Sequence, residues 1–157
     1  MLSRKSKYGL KALLVLAREG NGRSLHVSEI ASREAIPKKF LEAILVELKR
    51  HGFVTSRKGP GGGYALSRRS GEITFGAVVR VLEGPLALVP CVSQTAYRRC
   101  DDCVDETACG VRIEMQRVRD ATAAILDNTT LSDMNRRITR TRTARDGARR
   151  TEHSEKR

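Results

Sequence analysis

Along the first half of the chain the apolar positions switch between two periods. In "KYGLKALLVLARE", residues 7–19, Leu10, Leu13, Leu14 and Ala17 fall at i, i+3, i+4 and i+7, the stripe of a helix facing a core. Gly20-Asn21-Gly22 ends it. "VSEIASREAIP" predicts a short helix over about Ser28 to Glu34 with Ile30 and Ala31 inward, then a tight turn at Ala35-Ile36. Pro37 stands at the favoured first position of the next helix. In "KKFLEAILVELKRHG" the stripe returns as Leu41, Ile44, Leu45 and Leu48, and His51-Gly52 closes it with a cationic last turn and a C-cap glycine. The period then shortens. "FVTSR" (Phe53–Arg57) and "GYALS" (Gly63–Ser67) read as two short strands joined by a glycine loop, a β-hairpin. Two helices joined by a short turn, with a hairpin directly after, make a winged helix-turn-helix.

The glycine loop invites a nucleotide reading, which its spacing excludes. No register of "SRKGPGGGYALS" places Gly-Lys-Ser/Thr as a phosphate loop needs, and Tyr64 stands where the dinucleotide pattern requires glycine. As a wing tip the loop makes physical sense. Small residues let the backbone approach a sugar–phosphate chain, and Arg57 and Lys58 can reach phosphates or a narrow minor groove. The second helix of the pair can present Lys38, Lys39 and Glu42 to the major groove, where a glutamate can accept from a cytosine amine.

Beyond the hairpin, "ITFGAVVRVLEGP" predicts a helix with Phe75, Val78, Val79 and Leu82 on one stripe, Thr74 as N-cap and Gly84-Pro85 as stop. An irregular stretch, Leu86 to Cys109, separates it from a long helix over about Val111 to Asp127. There Val111, Met115, Val118, Thr122 and Ile125 repeat 4-3-4-3, a seam that predicts a partner helix, with packing inside the one chain as the alternative and Thr122 its one polar member. "TLSD", Thr130 to Asp133, reads as a capping box opening a last short helix. The expected organisation is a DNA-binding domain over 1–84, a cysteine-bearing loop over 85–110, a dimerisation helix and a short following helix over 111–135, and a basic, disordered tail over 136–157. The fold class is mainly α with a small β-hairpin.

Composition narrows the partners. The net charge is +12 and the isoelectric point about 10.2, which favours a polyanion, since cations set against phosphates release counterions. That excess is concentrated in the arginine-rich tail and before residue 70. No run is long and apolar enough to span a bilayer, and the N-terminus lacks a signal-peptide cleavage pattern, so a cytoplasmic protein is expected. His26, His51 and His153 are scattered, and neither a Ser–His–Asp set nor a carboxylate pair is visible; the reading is not that of an enzyme.

All four cysteines fall in a nineteen-residue window, Cys91, Cys100, Cys103 and Cys109, spaced C-x8-C-x2-C-x5-C. A cytosolic disulfide framework is disfavoured, which leaves three readings. An iron–sulfur cluster needs thiolates on a loop, and Cys109 just before a helix N-terminus is placed to be one. Structural zinc usually shows two C-x2–4-C knuckles, and this window has one. A metal-free thiol switch is the third.

The run "IPKKFLEAILVELKRHG", then "FVTSRKGPGGGYALS", the cysteine loop and "VRDATAAILDNTTLSDM" resemble the bacterial winged-helix regulators of the iron–sulfur cluster regulator (IscR) type, a family that also holds nitric-oxide, iron and cysteine-metabolism sensors. The resemblance covers about residues 1–135. It implies a homodimer on a palindromic DNA operator, with a two-iron or four-iron cluster in the cysteine loop setting affinity. It implicates Lys39 and Glu42 on the recognition helix and Arg57, Lys58, Gly59, Pro60 and Gly61 at the wing. Two departures stand out. In the iron–sulfur cluster regulator a histidine three residues past the last cysteine completes the ligand set, and here that position is Arg112. In the nitric-oxide sensor an N-terminal aspartate does so, and the matching "KSKYG" holds no acid. An all-cysteine set, Cys91, Cys100, Cys103 and Cys109, is what the resemblance leaves. The expected function is a cluster-sensing DNA-binding regulator. The alternatives are a thiol-switch or zinc-containing regulator of the same fold and, further off, a small electron carrier.

Overall fold

Helix α1 (Arg4–Arg18) is the spine of the molecule in the computed structural model, which describes residues 2–20 and 22–154. The Ser3 hydroxyl caps it by accepting from the Ser6 amide at 3.2 Å. Helices α2 (Val27–Glu34), α3 (Lys38–Arg50), α4 (Phe75–Leu82) and α6 (Leu131–Ser154) all pack on it. So many neighbours bury more of α1 than one stripe. Ala12, Val15 and Leu16 join Leu10 and Leu13 in the core, while Leu14 and Ala17, expected inside, are half-buried. Gly9 lets α4 come close, since a Cβ there would overlap the Leu82 side chain.

The α2–α3 turn is made by Ala35, which adopts the left-handed conformation (φ 52°), and by the buried Ile36. Pro37 occupies the N-cap position, one residue before the place expected, and α3 opens at Lys38. Leu41, Ile44, Leu45 and Leu48 are 1% exposed or less, as the period of the sequence predicts. Each such side chain withdrawn from water contributes roughly 1.5–3 kcal/mol.

Strands β1 (Val54–Arg57) and β2 (Gly63–Leu66) pair antiparallel, with Val54 opposite Leu66 and Arg57 opposite Gly63. Phe53 lies just outside the ladder, buried. The hairpin is also stitched to the body. Leu25 and Tyr64 exchange backbone hydrogen bonds of 2.9 and 2.8 Å.

Helix α4 is capped by Thr74, whose Oγ1 accepts from Ala77 N at 3.2 Å. Helix α5 (Gly110–Asp127) has no buried residue, and the segment before it is irregular apart from one 3-10 turn, Pro90–Val92. The α5–α6 corner is pinned to the start of α4: Phe75 N donates to Thr129 O at 2.8 Å and Leu131 N to Ile73 O at 3.0 Å. Leu131, fully buried, belongs to the same core as α1–α4, so the division expected at residue 84 is crossed by the chain's return.

The last element corrects the sequence reading. In place of a short helix and a disordered tail over 136–157, α6 continues to Ser154; residues 155–157 lie outside the described ones. Local chemistry outweighs composition here. Thr130 and Asp133 form the expected capping box, with Thr130 N on Asp133 Oδ2 at 3.0 Å and Asp133 N on Thr130 Oγ1 at 3.1 Å. Asn135 ties the helix to Leu14 O and accepts from Arg18 Nε at 3.1 Å. Thr139, Thr141 and Thr143 each donate to the carbonyl four residues back, and no proline interrupts the run.

Candidate nucleic-acid interface and cysteine site

Helix α3 hides its leucine stripe and presents its other face to solvent. Lys38 and Lys39 are exposed and Glu42 partly so, with Lys38 Nζ 3.9 Å from Glu42 Oε1. Between them stands Phe40, 41% exposed, its ring edge-on to Tyr8 of α1 with centroids 5.8 Å apart. This aromatic pair on the polar face was missed from sequence. A phenylalanine directly after two lysines and beside the leucine stripe is the signal that marks it. At the far end of α3 the Lys49 ammonium donates to the Ser56 hydroxyl of β1, joining helix and hairpin.

At the wing, Arg57, Lys58, Gly59, Pro60 and Gly61 are all exposed. The next two glycines serve packing. A Cβ on Gly62 would sit 2.5 Å from Arg57 O, and one on Gly63, whose φ is +129°, would overlap the Leu25 carbonyl and lie 2.8 Å from His26 N. Gly62 N closes the tip on Gly59 O at 2.8 Å, and Ser24 Oγ donates to Gly61 O at 2.9 Å. The tip is thus bare of bulky side chains, basic at its base and held against the loop after α1.

The four cysteines line one cavity of about 540 Å³ with Val89, Val104, Val111 and Arg112. Cys91 is buried in the 3-10 turn; Cys100, Cys103 and Cys109 are half-buried. Burial pushes the Cys91 thiol up, and the neighbouring Cys100 thiol adds to the push. Burial likewise raises Cys103, with Cys109 close by. Among the described residues no three cysteine, histidine or carboxylate side chains converge tightly enough to grip an ion as they stand. Cys109 Sγ accepts from Arg112 N at 3.5 Å and so caps α5. No histidine lines the cavity; in its place Arg112 contributes a buried Nε that has no hydrogen-bond partner.

Helix α5 links this site to α4 and the winged helical body. At its other end Asp127 receives a forked pair of bonds from Arg80 of α4, 2.5 and 2.9 Å. The two residues hold each other in charged form: hydrogen bonding to Arg80 lowers Asp127, and the same bond raises Arg80. Gly76 leaves room for the carboxylate, which a Cβ would strike. Of the expected seam, Val118 and Thr122 turn into a cleft against Val79 and Glu83, Met115 is half-buried, and Val111 and Ile125 remain 64% and 65% exposed.

Residues 2–137 match the family model described as Rrf2, iron-dependent transcriptional regulator. The chain belongs to the Rrf2 family. It is 42% identical over 137 residues to an HTH-type transcriptional regulator of Rhodobacter capsulatus described as rrf2-like, covering 85% of this chain and 91% of that protein. Among solved structures, CymR of B. subtilis, the global cysteine regulator, superposes with a TM-score of 0.72 at 31% identity, covering 86% of this chain and 95% of that one. IscR of T. potens superposes with a TM-score of 0.69 at 28% identity, covering 88% of each. The protein is a winged-helix transcription regulator of this family, and no helix among the described residues is long and apolar enough to cross a membrane.

Proposed function

We propose that this regulator binds a palindromic DNA operator as a homodimer, in the cytoplasm and without catalysis, with an affinity set by an iron–sulfur cluster held by Cys91, Cys100, Cys103 and Cys109. The observation that carries the reading is the gathering of all four thiols around one cavity whose last member also caps α5. The donor set fits the group. Thiolates are the ordinary ligands of iron–sulfur centres, and the orphaned Arg112 Nε offers a hydrogen bond and positive charge to an anionic occupant, beside the lining residues Asp102 and Asp105. Such a cluster supplies irons whose redox state and integrity respond to oxidants and iron supply.

The rest is done by the chain. Engaging Cys109 alters the cap of α5, and α5 is a continuous helix ending in the Asp127–Arg80 clamp on α4. Helix α4 packs on both α1 and α3, so a shift at the loop biases the elements that meet DNA, a coupling between two sites. Lys38, Lys39 and Glu42 would enter the major groove, while Arg57, Lys58 and the Gly59–Gly61 tip meet the sugar–phosphate chain. The exposed Val111 and Ile125 share one face of α5 and give it an apolar surface for a second copy.

The nearness of Cys91 to Cys100, together with the likeness to CymR, favours a second reading, a metal-free thiol switch. Iron and acid-labile sulfide content with an absorption spectrum, on protein purified without oxygen, separates the two. Sulfide matching iron and a visible band that bleaches in air is the expected result. A colourless, metal-free protein that forms a Cys91–Cys100 disulfide on oxidation would replace the cluster with the switch.

A further inference from the structure

Helix α6 contributes to a basic surface that the recognition helix, the wing and the cysteine loop leave unexplained. Two adjoining grooves, of about 430 and 600 Å³, share Ala17 and Ser70. Arg68 and Arg69 line the first and Arg18, Arg136 and Arg140 the second, against a single acidic residue, Glu72. Arg69 is engaged by Glu72 at 2.7 Å and Arg136 by Asp133. Arg68 and Arg140 have no carboxylate partner among the described residues; the Arg68 guanidinium is held 5.3 Å over the Phe53 ring.

The strip is continuous with the wing. Arg68 and Arg69 follow β2 almost directly, and Gly20 and Gly22, of the loop whose Ser24 bonds the wing tip, line the first groove. It runs from there to Arg140, three residues past the end of the family match. None of the exposed large apolar side chains lies in either groove, so the surface lacks what an interfacial membrane contact needs. We infer that the strip is a second phosphate-contacting surface, which takes the sugar–phosphate backbone of duplex DNA beside the stretch gripped by α3 and the wing. This rests on the DNA-binding reading above and extends it to flanking duplex.

The test uses the full chain and a fluorescent 40-base-pair duplex of mixed sequence, with binding followed by anisotropy across a salt series. Each phosphate contact contributes about 0.9 to the slope of log K against log salt. The Arg68→Ala, Arg140→Ala variant is expected to be shallower by about 1.8, so that its loss of affinity between about 50 and 200 mM salt is about 12-fold smaller than that of the parent. Arg68→Lys with Arg140→Lys restores the slope. Arg140→Glu, which leaves the Arg136–Asp133 pair intact, lowers affinity with an unchanged thermal melt. A parental slope in both the alanine and glutamate variants, alongside a shallower one in Lys58→Ala, overturns the second surface while leaving DNA binding by the wing in place. Loss of binding to polyglutamate with no change toward DNA overturns it in favour of an acidic protein partner. A parent that fails to bind duplex at any salt removes both this inference and the reading beneath it.

Discussion

Cutting the clamp between α4 and α5 separates fold from signal. Asp127→Asn preserves shape and removes the charge that the Arg80 fork grips at 2.5 and 2.9 Å. A hydrogen bond to a charged group contributes about 1.5–3 kcal/mol when well shielded. Here the Arg80 side chain is 31% exposed and that of Asp127 43%, so solvent screening brings the expected coupling down to about 1 kcal/mol. For a chain of this length that is roughly 2–4 °C in melting temperature. A double-mutant cycle with Arg80→Gln, read by urea unfolding, isolates the pair. The same variant is expected to leave DNA affinity of the metal-free protein near the parental value and to shrink the difference in affinity between loaded and unloaded protein. A cycle energy near zero, or an undiminished response to loading, would refute the clamp as the link.

Gly63→Ala sets a methyl group against the Leu25 carbonyl at φ +129°; a loss of about 1–3 kcal/mol in unfolding free energy is expected, with weakened DNA binding in an anisotropy titration. Glu83 is held below the usual carboxylate range first by the Ser3 hydroxyl and then by Ser6, and Arg80 holds Asp127 there too. A folded value below the unfolded one gives stability that is complete above the ordinary carboxylate range and is lost as pH falls through and beneath it. Urea midpoints from pH 7 to about 3 should therefore drop, less steeply in Ser6→Ala, and a flat profile would contradict the assignment. Arg112→Leu is expected to bleach several-fold faster in air than the parent, measured by visible absorption of the reconstituted protein; equal rates would remove Arg112 from the site. Lys39→Ala should weaken duplex binding in the same anisotropy assay, and no change would place the DNA elsewhere than on α3.

Much of the fold was legible because its elements are locally encoded. The α3 stripe, the Thr74 cap, the Thr130–Asp133 box and the hairpin all rest on residues a few positions apart, and the structure places each within a residue of its expected bounds. What escaped depends on distant partners. Leu16 and Val15 are buried because α1 is surrounded by four helices, which no single stripe reveals. The Leu25–Tyr64 bridge and the Arg80–Asp127 fork join residues far apart in the chain. Arginine-rich composition speaks for disorder in the α6 tail, whereas its cap and its seat on α1 are positional facts. At the site, spacing brought out the four cysteines, but the single cavity they share and the buried Arg112 Nε follow only from the packing around it.

On the proposed reading, the state of the cysteine loop sets DNA affinity. The most direct test of that reading is to select a binding duplex from a random-sequence pool with the anaerobic protein, then measure Kd for loaded and cluster-free forms of the same preparation by anisotropy at one salt concentration. A palindromic duplex and a difference of at least about fivefold between the two forms are expected, abolished in Cys109→Ser. Equal dissociation constants for the two forms would contradict it.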